Sequence, residues 1–335
     1  MQTARDIADL MAEHHVPGLS MAMVRGDEPP ICSTHGLRDR ASEQPVDRFT
    51  VFEAASLSKP VFAFITLQLA DSGILSLDTP LANLLPGYLT DDPRAATITP
   101  RHILSHTAGL PNWHSRDYPL KTYFAPGERF SYSGEGYVYL QKAIEQVCGE
   151  SLETLASRLV FEPLGMTRSS FIWQDRFSLN YAAPHTAAGH RFEDGFAGQR
   201  VTSANAAGSL CTTAEDYARF LQAALRFPRL EAWLTPRANV QQDRLTCLDG
   251  DEPVPNANVA WALGWGVETA SPFFFHWGDQ KGYKAFTIAS GETAKAMAVF
   301  TNGDAGLSFV SKLVAPVFPG RRPSLLWLGY EAGTG

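Results

Sequence analysis

Cysteine is scarce in this chain: four among 335 residues, Cys32, Cys148, Cys211 and Cys247, with no CxxC pair. That spacing excludes zinc-thiolate ribbons and CxxC redox couples, so free thiols in a reducing, cytoplasmic setting are expected. Positive charge is also short, with 28 Lys and Arg against 35 Asp and Glu and a net charge of -7. Nucleic-acid binders gain affinity from clustered cations that release counterions, so no nucleic-acid partner is expected. Long apolar runs are missing. The longest uncharged one, from Pro60 to Ala70, is about half of the roughly twenty residues a spanning helix needs, so no membrane partner is expected. The opening Met1-Gln2-Thr3-Ala4-Arg5-Asp6 holds no apolar segment of the kind a secretory signal carries, which again points to the cytoplasm.

Several catalytic signatures are absent as well. There is no Gly-x-Ser-x-Gly elbow, which leaves an α/β-hydrolase unsupported. His14 and His15 lack HExxH spacing, and His185 with His190 has no acidic companion at metalloprotease distance, so no metal is expected. Gly134-Glu135-Gly136 has neither the third glycine nor the preceding strand of a dinucleotide fingerprint, and no cofactor is expected.

What is present has the proportions of a globular enzyme, 44% hydrophobic and 19% charged. An amphipathic pattern near Ala4–His14 precedes two alternating segments, Leu19–Val24 and Ile31–His35, separated by the turn-rich Gly26-Asp27-Glu28-Pro29-Pro30. From Ser56 to about Leu225 the periodicity is mostly helical, at Val61–Ser72, Tyr137–Cys148, Leu152–Val160 and Ala214–Leu225. Strand patterns return at Ala260–Val267, Phe273–Trp277, Lys284–Ala289 and Ala296–Thr301, with a closing helix near Leu307–Pro316. Strand-rich ends around a helical middle predict an α/β (α+β) fold. Residues 1–55 and 256–335 would form a discontinuous α/β domain and 56–255 a mostly helical region, with a cleft at the junction.

Ser56-Leu57-Ser58-Lys59 is the leading candidate for chemistry. Residues three apart share one face of a helix, so Lys59 would neighbour Ser56 and, if burial lowered its pKa, accept the serine proton. Backbone N–H groups at a helix start point outward and suit an oxyanion. Pro60 disfavours helical geometry at Lys59, so the helix is expected to begin late or through a tight 3₁₀ turn.

Further blocks surround this motif. They are Val16-Pro17-Gly18-Leu19-Ser20, Phe52 to Lys59, Leu104-Ser105-His106-Thr107-Ala108-Gly109-Leu110-Pro111, Pro126-Gly127-Glu128-Arg129-Phe130-Ser131-Tyr132-Ser133, Pro163-Leu164-Gly165-Met166 and His276-Trp277-Gly278. In this order they resemble the class C β-lactamase-like serine hydrolases, which include penicillin-binding-protein-like peptidases and family VIII esterases. The resemblance implies a β-lactamase/transpeptidase-like fold, an antiparallel sheet flanked by helices with the active site where it meets the helical part. It also implies an acyl-enzyme on Ser56. Tyr132 stands where the family's Tyr-x-Asn tyrosine shares proton transfer with the lysine. His276 stands in the place of the Lys-Thr-Gly lysine, where it would give a hydrogen bond or a titratable positive charge. Gly278 would let substrate lie against the strand, and the backbone N–H groups of Ser56 and Asp279 would hold the oxyanion. His106 has a structural place in its block, and Ser203-Ala204-Asn205, a Ser-x-Asn look-alike, is assigned to structure.

One position departs from the pattern. Gly134 replaces the usual Asn, whose amide meets a substrate amide carbonyl, and this shifts the expectation toward an ester. Trp113 and Trp277 are candidate pocket walls, since indoles offer large contact area to acyl groups. The expected substrate is a small ester or amide. A D-amino-acid amidase or peptidase, a weak β-lactamase, an acyltransferase and a catalytically silent penicillin-binding-like sensor remain as alternatives.

Overall fold

The computed structural model describes residues 4–89, 92–192 and 200–331. The first three residues, read above with the N-terminus, and the polar tail from residue 332 lie outside the described residues. Helix α1 (Ala4–Glu13) precedes strands β1 (Gly18–Arg25), β2 (Ile31–Asp39), β3 (Gln44–Pro45) and β4 (Phe52–Glu53). The helical middle contains α2 (Ser58–Asp71), α3 (Leu81–Leu84), α4 (Pro100–Leu104), α5 (Gly134–Cys148) and α6 (Leu152–Ala156). Strand β5 (Cys211–Thr212) leads into α7 (Ala214–Leu225) and α8 (Leu230–Leu234). Strands β6 (Ala238–Gln241), β7 (Pro255–Trp261), β8 (Gly266–Glu268), β9 (Phe273–Gln280), β10 (Tyr283–Ser290) and β11 (Lys295–Thr301) follow, closed by α9 (Val310–Val314) and α10 (Pro323–Trp327).

Nine strands form one sheet in the order β3-β2-β1-β11-β10-β9-β8-β7-β6, while β4 and β5 pair separately. The N-terminal hairpin docks on β11 with Leu19 opposite Thr301, so both ends of the chain complete one sheet and the intervening segment supplies the helical layer. This is an antiparallel α+β architecture, a sheet flanked by helices, as expected. Alternation along β9 serves two cores. Phe274 joins the helical side with Val61, Phe62 and Trp265, and Phe275 and Trp277 join the opposite cluster with Ile7, Val310 and Leu325.

Helix α2 is apolar around nearly its whole circumference, and Val61, Phe62, Ala63 and Ile65 have no exposure. An all-round apolar helix belongs in the middle of a core. Its N-terminal residues are therefore held rigidly against both the sheet and the helical layer.

Some elements differ from expectation. The apolar run Ala260–Val267 is not one strand. It breaks between β7 and β8 at Gly264, whose φ of +86° makes a tight turn and whose N–H donates to Leu104 O at 2.8 Å. Strand β6 brings residues before 256 into the sheet, and its short, polar-interrupted Ala-Asn-Val-Gln carries no period to detect. Helix α6 stops at Ala156 and gives way to a π turn, Ser157–Phe161. The closing helix shortens to α9.

A Cβ at Gly264 would lie 2.3 Å from Ala63 Cβ. Gly264→Ala should therefore separate α2 from the β7–β8 turn and cost about 1–3 kcal/mol, read as a lower urea midpoint at unchanged m-value.

Candidate active site

Ser56 occupies a 3₁₀ turn, Ala55–Leu57, that runs straight into α2. Pro60 is the third residue of α2, a position whose N–H needs no intrahelical acceptor, so the proline continues the turn without loss. Ala55 has φ +47°, a conformation that costs a non-glycine residue about 1–3 kcal/mol and must be held by its surroundings. Those restraints are visible. Ala54 N–H donates to Leu210 O at 2.8 Å, and Ser58 Oγ donates to Ala55 O at 2.7 Å while accepting Leu210 N–H at 2.9 Å. Tyr217 Oη donates to Leu57 O at 3.1 Å.

One turn into this arrangement Lys59 is 1% exposed. Its Nζ donates to Ala207 O at 2.7 Å and stands 3.0 Å from Ser56 Oγ. Burial lowers its pKa to about 7, with no carboxylate opposing the effect. The rings of Tyr132 and Tyr137 lie 4.8 and 5.6 Å from Nζ.

Ala207 was not recognisable from sequence, because a backbone carbonyl leaves no residue-type signal. Its loop is clamped by α5: Gln141 Oε1 accepts Ala206 N–H at 2.8 Å and Gln141 Nε2 donates to Ala204 O at 2.9 Å. Asn205 Oδ1 accepts Ala207 N–H at 2.8 Å. The Ser203–Asn205 segment thus shapes the loop that delivers a carbonyl to Lys59.

Tyr132 is fully enclosed just ahead of α5. Its N–H donates to Leu245 O at 2.9 Å, and its neighbours are fixed by His106, whose backbone O accepts Ser131 N–H at 2.8 Å and whose Nδ1 accepts Ser133 N–H at 3.0 Å. His106 also packs its ring 4.2 Å from that of Tyr132, in keeping with a loop-holding place. The Tyr132 hydroxyl has no partner of hydrogen-bond geometry. Burial raises its pKa above the ordinary tyrosine value, although the nearby Ser56 hydroxyl favours the phenolate slightly. A resting phenolate base is therefore disfavoured, and the group is a protonated donor.

Of the two parts expected of His276, a hydrogen bond or a titratable positive charge, its surroundings favour the first. Its Nδ1 donates to Trp277 O at 2.8 Å, which fixes the proton on Nδ1 and leaves Nε2 as a buried acceptor without a partner. Burial, assisted by Lys59, pushes its pKa down to about 3. It offers a neutral lone pair in place of a titratable positive charge.

Gly278, expected to let substrate lie against the strand, also meets the turn that carries Ser56. A Cβ there would lie 2.2 Å from Ala54 O, so its bareness admits the nucleophile turn itself. Asp279 directs its carboxylate to Lys284 Nζ at 3.0 Å. Strand β9 pairs along its length with β10 but meets β8 only at Phe274 and Phe275, leaving the β8-side edge from His276 onward unpaired in the sheet.

Gly134, at the position where the family's Asn would meet substrate, is buried under Trp113. A Cβ at 134 would lie 2.7 Å from the indole Cζ2 and Cη2 and 3.0 Å from Asn112 O. The tryptophan fills the space a side chain at 134 would use, and is itself 50% exposed. Trp277 is only 5% exposed and packs against Tyr132, Trp261 and Trp327, so it braces the tyrosine in an aromatic cluster and presents no open wall.

A buried lysine beside a serine at a helix start, against the edge of a large antiparallel sheet, defines the β-lactamase type of serine hydrolase. Residues 3–313 match the Beta-lactamase family model, and the chain belongs to that family. It is 27% identical to penicillin-binding protein 4 of Amycolatopsis lactamdurans, an alignment covering 91% of this chain and 85% of that protein. Esterase EstB of Burkholderia gladioli is 29% identical over 51% of this chain and 52% of its own length. The fold is similar to a β-lactamase/D-alanine carboxypeptidase from Pseudomonas syringae, with a TM-score of 0.76, 17% identity, and coverage of 95% of this chain and 98% of that one. Among the described residues no helix is long and apolar enough to cross a membrane.

Gly278→Ala should push the nucleophile turn off β9. A displacement of that kind costs about a hundredfold in kcat/KM, measured as loss of acylation by an activated ester in protein that still folds by circular dichroism.

Proposed function

We propose that this chain hydrolyses uncharged carboxylic esters through an acyl-enzyme on Ser56. The observation that carries the reading is Lys59, buried, brought to about 7 and 3.0 Å from Ser56 Oγ. Neutral Lys59 takes the serine proton as Oγ bonds to the substrate carbonyl carbon. The tetrahedral oxyanion is held by the backbone N–H groups of Ser56 and Asp279. On collapse the C–O bond to the leaving group breaks, Tyr132 gives its proton to the departing alkoxide, and the lysine ammonium reprotonates the tyrosine. Water then repeats the cycle on the acyl-enzyme, releasing the acid and restoring Ser56.

Two features favour an ester without a carboxylate at the His276 side. Neutral His276 cannot attract an anion, and Trp113 occupies the space where a family Asn would offer its amide. Similarity to an enzyme named an esterase agrees with this. The longer alignment with a penicillin-binding protein supports a second reading, hydrolysis of D-amino-acid amides.

A fluorophosphonate probe should add one adduct mass to the wild type and none to Ser56→Ala; an unlabelled wild type would indicate a silent penicillin-binding-like protein. Short p-nitrophenyl esters should turn over faster than a chromogenic cephalosporin or D-alanyl amides, and the reverse order would favour the second reading. Because Lys59 must lose a proton before it can accept one, kcat/KM should rise with pH through about 7. Lys59→Ala should lose about a thousandfold in kcat and that limb of the profile.

A further inference from the structure

Glu53 is a buried carboxyl that this chemistry leaves unused. It lies on β4, three residues before Ser56 and paired across the ribbon with Cys211. One carboxylate oxygen accepts from the Tyr181 hydroxyl and the other from the Gln280 side-chain amide. Burial raises its pKa to about 7 while these two bonds pull it down, and no cation contributes. Its titratable neighbours Tyr181, Tyr283 and Cys211 are themselves raised by burial. Placing a carboxyl in such surroundings without a cation is costly, and an apolar side chain would pack there at less expense.

Its two ends explain the placement. Gln280 is the last residue of β9 and follows Asp279 directly. The same strand end is held from the other side by Lys284, whose Nζ donates to Gln280 O at 3.1 Å and pairs with Asp279 at 3.0 Å and Asp304 at 2.9 Å. The Tyr181 segment is fastened to the strand entering β4, with Val51 N–H on Asn180 O and Ala182 N–H on Val51 O, both 2.9 Å. A single carboxyl therefore ties the chain leading to Ser56 to the chain leaving Asp279.

We propose that Glu53 is a positioning residue for the oxyanion hole, setting the distance between the backbone N–H donors of Ser56 and Asp279 through its bond to Gln280. The proposal rests on the acyl-enzyme reading above. Glu53 touches no substrate, and its effect is confined to the alignment of the two donors.

The test uses Gln280→Leu, at an exposed strand end, and the exchange E53Q/Q280E, which rebuilds the bond with donor and acceptor reversed while leaving an oxygen for Tyr181. Each is assayed on an oxygen ester and its thionoester, whose larger, weaker-accepting sulfur reports on oxyanion-hole fit. Gln280→Leu should lower kcat about tenfold or more, keep KM within about twofold and reduce the preference for the oxygen ester. The exchange should recover most of both. A Gln280→Leu enzyme with unchanged kcat and unchanged oxygen/sulfur preference overturns the proposal while fluorophosphonate labelling of the wild type keeps the hydrolase reading intact. If Gln280→Leu fails to fold, the exchange decides: a folded E53Q/Q280E protein with wild-type preference supports the tie, and one that folds without it overturns the tie. A wild type that neither labels nor turns over ester removes both.

Discussion

The structure depends on keeping one lysine dry. Lys59 lies inside a core of apolar and aromatic side chains with a single backbone carbonyl, Ala207 O, and a single hydroxyl, Ser56 Oγ, within reach of its nitrogen. An ammonium in such a place is expensive, so burial moves the proton equilibrium toward the free amine. The apolar circumference of α2, the sheet beneath it and the Gln141-clamped loop all contribute to that exclusion of water. The energetic cost of the site thus brings the lysine pKa down to about 7.

The same dryness sorts the other groups. Burial drives Tyr132 and His276 in opposite directions, the phenol toward its protonated form and the imidazole toward its neutral form. Each outcome is the uncharged state, so Tyr132, His276 and a neutral Lys59 together place no charge beside Ser56. Pairs of groups whose environments push their pKa values apart take different parts in proton transfer. In the acyl-enzyme cycle proposed for Ser56, that separation suits Lys59 to accept, Tyr132 to donate, and His276 to offer an acceptor lone pair.

Much of this was legible from residue order. The helix Ala214–Leu225, the opening hairpin and the aromatic strand carrying His276 follow from apolar periodicity, and the Ser56–Lys59 spacing follows from the pitch of a helix. Other features were invisible for physical reasons. An apolar run reads alike as a strand or as two strands around a buried turn, so Ala260–Val267 concealed Gly264. Ala207 acts through a carbonyl that every residue has. Gly278 read as space for substrate, and the approach of Ala54 O to the same glycine is a contact that no motif announces. Gly134 read as a lost amide, while its meaning lies in Trp113, distant in sequence and adjacent in space. The neutrality of His276 comes from its burial beside Lys59, which no motif encodes.

The proposed chemistry requires Lys59 to be an unprotonated amine before it meets substrate. Lysine-selective ¹⁵N labelling, with the Lys59 signal assigned by its loss in Lys59→Ala, allows its nitrogen to be titrated directly by NMR. A midpoint of about 7 is expected against the ordinary 10.5. A Lys59 midpoint close to 10.5 would contradict it.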